Sequence, residues 1–484
     1  MPSTRIWVAK SASLIVMLLV RCPTSRGAEP LATDPPATTA PTNTVKKSSR
    51  PGVDWPCFLG PTHDGRSSEV GIVTDWPATG PPIVWQRKLG TGYGSPVTSA
   101  GRLFQFDRVA DRERLVALDS ETGKQLWEFS YPTSFEDMYG YDNGPRGSPV
   151  VDGDRVYILG AHGMLHCLNV ADGRAQWRLD TMTEYGVVEN FFGVGSTPLV
   201  EGDLLIVPVG GSPPEAQQVP RGQLDRVKGN NSAVVALDKL SGQPRYTLSD
   251  ELASYASPVA TTIGERRWCF HFARGGLLGF DPRSGKLDFH FPWRATVLES
   301  VNASNPVVVG DLVFISETYG PGGALLKVRP GGFDVVVSDA ERRRDKALQT
   351  HWNTAVHHDG YLYASSGRHS ENAELRCVEL RTGRVMWSEP ELTRSSLLYV
   401  DGHFVCLTEY GELILLKATP ERYTPIARVQ PVKTDEVATD AGFQPRPLLE
   451  YPAWAAPVLS HGLLYVRGRD RLVCYELIPA ADKP

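Results

Sequence analysis

Short runs in which apolar and polar residues alternate recur along most of the chain, and turn-forming residues separate them. Alternation with a period of two predicts half-buried β-strands, because successive side chains of a strand point to opposite faces. Gly and Pro are frequent, with 46 and 38 residues. Both residue types interrupt regular structure and mark turns. The pattern therefore predicts an all-β fold built from many short strands.

The alternating runs are grouped into repeated units. Six of the eight units begin with a small residue followed by proline, and the typical unit then predicts four strands with a Gly-containing turn between the third and the fourth. Successive units start about 52 residues apart, near the period of four-stranded propeller blades. The eight starts are Ser95-Pro96, Ser148-Pro149, Thr197-Pro198, Ser257-Pro258, Asn305-Pro306, Thr354-Ala355, Leu397-Leu398 and Ala456-Pro457.

The turn between the third and fourth predicted strands carries a motif. In the first unit it runs from Ala117 to Trp127 and contains Asp119, Thr122 and Gly123. Asp and Thr side chains can bond turn backbone, and Gly adopts positive φ without strain. The aromatic residue that ends the motif is large enough to fill an interface between blades. We assign this structural role to Trp85, Trp127, Trp177 and Trp387.

The last unit ends near Leu477 without a fourth strand, and residues 82–89 match the missing strand. Trp85 stands in the aromatic position of that segment. Pairing the two ends of the chain would remove an exposed sheet edge. The prediction is an eight-bladed β-propeller over residues 82–477, with four strands per blade and a ring closed by the N-terminal strand.

The motif at 117–127 resembles the repeat of pyrroloquinoline-quinone (PQQ) propellers, and it matches the pattern AxDxxTGxxxW at every fixed position. The Trp-Pro-Cys-Phe-Leu-Gly-Pro sequence at 55–61, within a lead-in segment at 51–81, is similar to the lead-in of exported members. The resemblance implies one of two functions. One branch contains dehydrogenases that use PQQ and calcium, and the other contains non-enzymatic propellers such as the outer-membrane assembly lipoprotein.

The N-terminal residues predict export. Residues 1–28 combine basic residues with a short apolar run and small residues, which is typical of a signal peptide. Residues 29–50 are rich in Pro and Thr and predict a disordered linker, and 478–484 form a short tail. The protein is expected in the periplasm or outside the cell. Lipid anchoring at Cys22 is not expected, since Arg21 stands where lipoproteins have a small residue.

Charge and hydropathy narrow the range of partners. The formal net charge is −5, which argues against a nucleic-acid partner. The apolar run near the N-terminus is too short for a transmembrane helix, which needs about 20 residues. We expect a monomer that binds a protein segment or a small polar ligand.

The lengths of the connections between strands predict which face of the propeller binds a ligand or partner. Turns between first and second strands, and between third and fourth strands, are minimal. The other connections are long, and long loops on a rigid scaffold commonly carry binding residues. These long connections are 130–146, 180–195, 211–231, 338–353 and 430–454.

Residues that precede the first strand of each unit, with neighbours in the long loops, predict a ligand site at the mouth of the central channel. They offer aromatic rings, amides, two cations and one carboxylate. The candidates are Tyr93, Arg146, Glu189, Asn190, Phe192, Asn230, Tyr255, Asn302, Trp352, Asn353, Arg394 and Trp454. Structural roles remain open: the rings could plug the channel, Arg146 could pair with Asp142, and the asparagines could cap loops.

No catalytic or metal-binding motif stands out. The sequence contains no adjacent cysteine pair of the kind found in the alcohol-dehydrogenase branch, and no GxSxG, HExxH or Walker pattern. We therefore expect no cofactor and no metal, and we assign no catalytic residue. The alternative is a PQQ- and calcium-dependent dehydrogenase in which Glu189, Asn190, Trp352 and Arg146 supply the residue types that quinone chemistry needs.

Overall fold

Eight four-stranded antiparallel sheets form a ring in the computed structural model, which describes residues 48–433 and 446–480. The predicted signal peptide and most of the predicted linker lie outside the described residues. Almost all regular structure is β, so the predicted all-β, eight-bladed propeller is confirmed. In the described residues, no helix is long and apolar enough to cross a membrane.

Each blade has four strands, which follow one another from the innermost strand at the channel to the outermost. In that order they are Val97–Ser99, Arg102–Val109, Arg112–Asp119 and Gln125–Pro132 in blade 1; Val150–Asp152, Arg155–Leu159, Met164–Asn169 and Ala175–Asp180 in blade 2; Leu199–Glu201, Leu204–Pro208, Val234–Asp238 and Pro244–Leu248 in blade 3; Val259–Ile263, Arg266–Phe272, Gly276–Phe280 and Leu287–Pro292 in blade 4; Val307–Val309, Leu312–Glu317, Gly322–Arg329 and Gly332–Ser338 in blade 5; Val356–His358, Tyr361–Ser366, Glu374–Glu379 and Arg384–Glu389 in blade 6; Ser395–Val400, His403–Thr408, Leu413–Lys417 and Pro425–Val429 in blade 7; and Val458–Ser460, Leu463–Arg467, Arg471–Glu476 and Ile83–Lys88 in blade 8.

The two ends of the chain meet in blade 8. Strand Ile83–Lys88 pairs antiparallel with strand Arg471–Glu476, and Trp85 lies opposite Cys474. The predicted closure of the ring is therefore confirmed. One start is corrected by one residue. Val400 of blade 7 lies opposite His403, as Ser99 lies opposite Arg102 in blade 1, so Ser396-Leu397 and not the predicted Leu397-Leu398 corresponds to Ser95-Pro96. This start has leucine where most others have proline, which removed the signal.

A single aromatic residue on the outermost strand joins several blades to the next one. The indole Nε1 of Trp85, Trp127, Trp177 and Trp387 donates to a backbone carbonyl of the neighbouring blade at 2.9–3.2 Å. Trp127 and Trp177 are almost completely buried, at 4% and 3% exposed. Each of these rings therefore combines apolar burial with one directional bond across a blade interface.

The Gly of the motif lies directly against this ring. Gly173 has a φ of 73°, and a Cβ at this position would lie 2.5 Å from the Trp127 ring. Asp119 performs the other predicted role in blade 1, where its carboxylate accepts from Thr122 N at 2.9 Å and from Thr122 Oγ1 at 2.7 Å. The motif thus shapes a turn that leaves room for the aromatic residue of the preceding blade.

Small polar side chains at the start of the innermost strands link the blades around the channel. The amide of Ser148 donates to Thr197 Oγ1 at 3.0 Å, and the amide of Thr197 donates to Ser257 Oγ at 2.9 Å. The amide of Ser257 donates to Asn305 Oδ1 at 2.7 Å, and the amide of Asn305 donates to Thr354 Oγ1 at 3.0 Å. This chain of hydrogen bonds runs across blades 2 to 6 and explains why the starts are Ser, Thr or Asn.

The two faces of the ring differ in the length of their connections. One face, which we call the short-turn face, carries the tight turns between first and second strands and between third and fourth strands. The other, the long-loop face, carries the remaining connections. Its long loops include the short helices of the described residues, namely α-helix Thr181–Tyr185 and the 3₁₀ helices Pro214–Gln218, Leu224–Arg226 and Ser370–Asn372.

The lead-in segment crosses the short-turn face and closes the channel there. Trp55 forms an antiparallel bridge with Thr98 of blade 1. Farther along the segment, Gly71 N donates to the Asp401 carboxylate in a turn of blade 7 at 2.8 Å. Leu59, which lies between these two contacts, is 6% exposed and lines the inner end of the channel. The channel is therefore open towards the long-loop face only.

Candidate functional site

A cavity of about 560 Å³ occupies the channel and opens on the long-loop face. This volume lies within the range of ligand sites, about 300–1,000 Å³. We call the cavity the funnel. Phe58 and Leu59 form its floor, and small residues that precede the innermost strands, such as Ser95 and Thr197, also line it. The long loops supply the residues that line the rest of the funnel.

The funnel brings together eight of the twelve residues predicted at the channel mouth. They come from the segments that precede the innermost strands of different blades, as the strand pattern predicts. These residues are Tyr93, Arg146, Phe192, Tyr255, Trp352, Asn353, Arg394 and Trp454.

The other four predicted residues lie outside the funnel and support loops. Glu189 forms an ion pair with Arg221 at 3.0 Å, and Asn190 accepts from the amide of Phe191 at 2.8 Å. The amide group of Asn302 donates to three backbone carbonyls at 2.8–3.2 Å and is completely buried. Asn230 donates to two loop carbonyls at 3.0 and 3.1 Å. These residues do not line the mouth, because Asn302 and Asn230 bond loop carbonyls, Asn190 accepts from a loop amide and Glu189 pairs with Arg221.

Five aromatic residues, Tyr93, Phe192, Tyr255, Trp352 and Trp454, form the wall of the funnel. Trp454 lies centrally on one side, with its ring centroid 4.8 Å from that of Tyr93 and 4.9 Å from that of Trp352. Phe192 and Tyr255 face it, 5.6 Å apart. These ring pairs are tilted by 41–54°. The wall therefore consists of two groups of contacting rings, Tyr93–Trp454–Trp352 and Phe192–Tyr255, and Tyr141 contacts both Phe192 and Trp454.

A buried carboxylate holds one half of this wall in place. Glu409 is completely buried and accepts from the Arg394 guanidinium at 2.6–3.1 Å and from Trp454 Nε1 at 3.1 Å. The Arg394 guanidinium in turn lies 4.5 Å from the centroid of Trp352. Charge pairing and cation–π contact therefore fix both tryptophans, and they leave the Arg394–Glu409 pair neutral as a whole.

A second pair supports the opposite half. Arg146 forms an ion pair with the buried carboxylate of Asp137, whereas the sequence suggested Asp142 as a partner. Asp142 contributes its backbone carbonyl to Arg146 at 2.7 Å, and its carboxylate accepts from Gly144 N at 2.6 Å. Because the Asp142 carboxylate bonds the backbone of its own loop, Asp137 is the residue that neutralises Arg146.

His351 lies beside the first half of the wall, with its ring centroid 5.4 Å from that of Trp352. Burial, followed by the nearby Arg394, lowers its pKa to about 3. Its Nε2 lies 3.2 Å from the Tyr319 hydroxyl, at hydrogen-bond distance. Because neither group is charged near neutral pH, this part of the funnel adds polarity without net charge.

The rim of the funnel consists of residues that sequence reasoning did not select. They are Tyr139, Tyr141 and Tyr451, with Arg368 opposite. The three tyrosines are 40–56% exposed although they are large aromatic residues. The Arg368 guanidinium lies 4.4 Å from the centroid of Tyr319. Aromatic residues within long polar loops were the available signal, and the Tyr-Gly-Tyr sequence at 139–141 carries it most clearly.

The predicted oxygen ligands of the quinone alternative do not lie in the funnel. Glu189 and Asn190, the predicted oxygen ligands, are bonded elsewhere. Among the described residues, no group of three or more His, Cys, Asp or Glu side chains is arranged to hold a metal ion. Of the four residues that the quinone alternative uses, Trp352 and Arg146 line the funnel and Glu189 and Asn190 do not.

The fold and the aromatic channel define an eight-bladed propeller of the PQQ-like class. The family model described as "Outer membrane protein assembly factor BamB" matches residues 71–213 and 213–389, which is more than half of the chain. The chain belongs to this family.

Individual relatives are distant. The outer membrane protein assembly factor BamB of Shewanella oneidensis is 26% identical over 153 residues, which are 29% of this chain and 35% of that protein. The chain thus spans about a third of the length of this relative. BamB from Moraxella catarrhalis shares 13% identity at a TM-score of 0.54, over 82% of this chain and 99% of that chain. A quinohemoprotein alcohol dehydrogenase from Comamonas testosteroni shares 13% identity at a TM-score of 0.46, over 89% and 81% of the two chains.

Proposed function

We propose that this protein is an exported, non-enzymatic binding scaffold that engages a partner through the long-loop face. The observation that carries the proposal is the funnel, a cavity whose aromatic wall is held by the ion pairs Arg146–Asp137 and Arg394–Glu409. A site that binds without chemistry needs shape and apolar contact more than it needs reactive groups. The name of its relatives, assembly factor, supports a role in which partner proteins are held.

The balance of charges supports binding over catalysis. A general base must present an ionisable group to its substrate. The two carboxylates at the wall, Asp137 and Glu409, are completely buried at the side chain and bonded to Arg146 and Arg394. Their role is to fix the rings, so we propose no catalytic residue. We propose a monomer that acts in the periplasm or outside the cell.

Capture of a partner tests the binding role. The full mature protein would be immobilised and incubated with envelope extract of the source cells, alongside the variants Tyr141→Ser and Leu240→Ser. Leu240 is a matched control, because it is 58% exposed and lies in a tight turn of the short-turn face. We expect a partner retained by wild type and Leu240→Ser and lost with Tyr141→Ser. Equal retention by all three proteins would contradict the proposed face.

Titration with PQQ and calcium chloride tests the enzymatic alternative. A ligand that binds the native state raises the melting temperature. We expect no saturable shift with both added, and no dye-linked oxidation of alcohols or sugars. A calcium-dependent, saturable rise in melting temperature would overturn the non-enzymatic proposal and assign the funnel to a quinone.

A further inference from the structure

The chemistry of the funnel selects among the ligands that a propeller channel could take. The ligand class follows from the hydrogen-bonding groups of the wall, the charges of the wall and the polar groups of the rim. The inference rests on the proposed binding function, because it specifies the ligand of the same site.

The wall offers ring surface and almost no hydrogen-bonding groups. Trp352 Nε1 donates to the carbonyl of Trp454 at 3.2 Å, and Trp454 Nε1 donates to Glu409 at 3.1 Å. The hydroxyl oxygen of Tyr255 accepts from the amide of Phe192 at 2.9 Å. The hydroxyl oxygen of Tyr93 is buried. An oligosaccharide would lose hydrogen bonds to water here without replacing them, which is costly for each hydroxyl.

The charges of the wall disfavour ionic ligands of either sign. Arg394 lies 4.5 and 5.2 Å from the ring centroids of Trp352 and Trp454, so two rings that could bind a cation already carry one. Arg146 lies 5.6 Å from the Tyr93 centroid in the same way. Because each arginine is paired with a buried carboxylate, an anion gains little from them. The interior is therefore suited to uncharged apolar groups.

The rim has the opposite character. The Tyr139 and Tyr141 hydroxyls are at exposed residues and can donate and accept. Arg368 is an exposed donor that forms no ion pair with any described residue, and Glu299 and Glu371 are exposed acceptors on the same rim. A polypeptide backbone offers one donor and one acceptor per residue, so it can be satisfied by such a mixture.

We propose that the funnel binds an extended segment of a partner protein by taking two or more of its large apolar side chains into the aromatic cavity, while the backbone of the segment crosses the tyrosine rim. Tyr, Trp and Arg are the residue types that dominate binding energy at protein interfaces, and the funnel is built from them. The ligand class is thus a peptide with closely spaced Phe, Trp, Leu or Ile residues.

The test uses a random dodecapeptide library displayed on phage, selected against the full mature protein. We expect enrichment of peptides with at least two large apolar residues. A selected peptide, synthesised free, should bind Tyr141→Ser about tenfold more weakly than wild type, as for loss of an interface aromatic, and should bind Leu240→Ser like wild type. Replacing its apolar residues by serine should abolish binding. Both variants change exposed side chains, so equal melting temperatures will verify that they fold.

Other outcomes overturn the inference in distinguishable ways. No enrichment, a polar consensus, or equal affinity for Tyr141→Ser would reject apolar side chains as the ligand. Saturable binding of maltohexaose that Tyr141→Ser weakens would also reject it, yet it would keep the funnel as a binding site and leave the proposed function standing. Failure of the library, of maltohexaose and of envelope capture together would reject both proposals.

Discussion

The short-turn face and the long-loop face of this propeller connect the same strands, but only the short-turn face has a recurring sequence motif. On the short-turn face a local motif recurs, and its Asp, Thr, Gly and Trp each perform a structural task that repeats from blade to blade. On the long-loop face no two connections are alike, and aromatic residues that would ordinarily be buried remain exposed at the rim. The short-turn face therefore carries residues that hold the blades together, and the long-loop face can vary in sequence and shape without changing the ring.

We expect this division to separate stability from the proposed binding role. Burial of Trp127 between blades removes a large apolar surface from water in the folded state. Tyr141, at 56% exposed, contributes much less of this kind. Substitutions on the two faces should therefore affect different measurements, and the size of the effect should fall from the blade interfaces to the channel.

Trp127→Ala should cost about 3–5 kcal/mol in the free energy of unfolding, as large-to-small core substitutions of aromatic residues do. The substitution removes the ring from the interface and its bond to the Val170 carbonyl at 3.0 Å. Urea unfolding followed by fluorescence would measure it. Tyr141→Ala is the comparison on the other face and should change stability by about 0.5 kcal/mol or less. Similar losses for the two variants would break the separation.

Gly173→Ala should cost about 2–4 kcal/mol, from a left-handed backbone conformation and a collision with the Trp127 ring. Gly153 provides a matched control on the same face, since its φ is 58° and a Cβ there would meet nothing within 4 Å. Gly153→Ala should cost only the backbone component, about 1–2 kcal/mol. Thermal unfolding would compare the two. Equal costs would show that the close approach to Trp127 contributes nothing.

The buried carboxyl group of Glu317 should make the free energy of unfolding depend on pH. This carboxyl group is 1% exposed, and burial raises its pKa from an ordinary 4.5 to about 7. The folded state then binds more protons than the unfolded state between these values, so its contribution to stability falls as pH rises from 4.5 to 7 and is constant above. Glu317→Gln should remove this dependence, which amounts to about 3 kcal/mol over the whole window for a pKa shift of this size.

Urea unfolding of wild type and Glu317→Gln at pH 5, 6 and 7.5 would measure the difference. Backbone amides of Tyr319 and Gly320 donate to this carboxylate at 2.6 and 2.9 Å, and they oppose the effect of burial. Parallel pH profiles for the two proteins would show that these amides cancel it.

Thr197→Val should have the smallest effect, about 1 kcal/mol, because it removes one hydrogen bond of the ring around the channel. The Thr197 hydroxyl accepts from Ser148 N at 3.0 Å, and the variant leaves that amide unpaired. Hydrogen exchange of the Ser148 amide would report the loss locally. Unchanged protection would indicate that other contacts, and not this bond, join blades 2 and 3.

The fold was predictable from sequence because propeller blades are specified by local signals. Strand alternation, the Gly turn and Trp127 all act within one unit, so the ring and its closure by residues 82–89 could be counted. Blades 5 and 7 fold without the motif, which shows that strand alternation suffices. In blade 7 the start lacks the proline of most other blades, and the predicted Leu397-Leu398 lies one residue too late.

The residues that line the funnel could be predicted only in part, because the conformations of the long loops determine which side chains reach it. A position before an innermost strand placed Tyr93, Trp352 and Trp454 correctly in the funnel. The same rule failed for Asn302, whose amide satisfies three loop carbonyls. The floor at Leu59 and the rim at Tyr451 depend on how long segments cross the ring, and neither has a periodic signal.

The most direct measurement places a photo-crosslinking residue, p-benzoylphenylalanine, at position 141 or at position 240 and irradiates the protein in envelope extract of the source cells. Both positions are exposed, at 56% and 58%, and they lie on opposite faces. We predict a defined crosslinked product from position 141 and none from position 240. A product from position 240 alone would contradict the binding role of the funnel and would move function to the face that we assign to architecture.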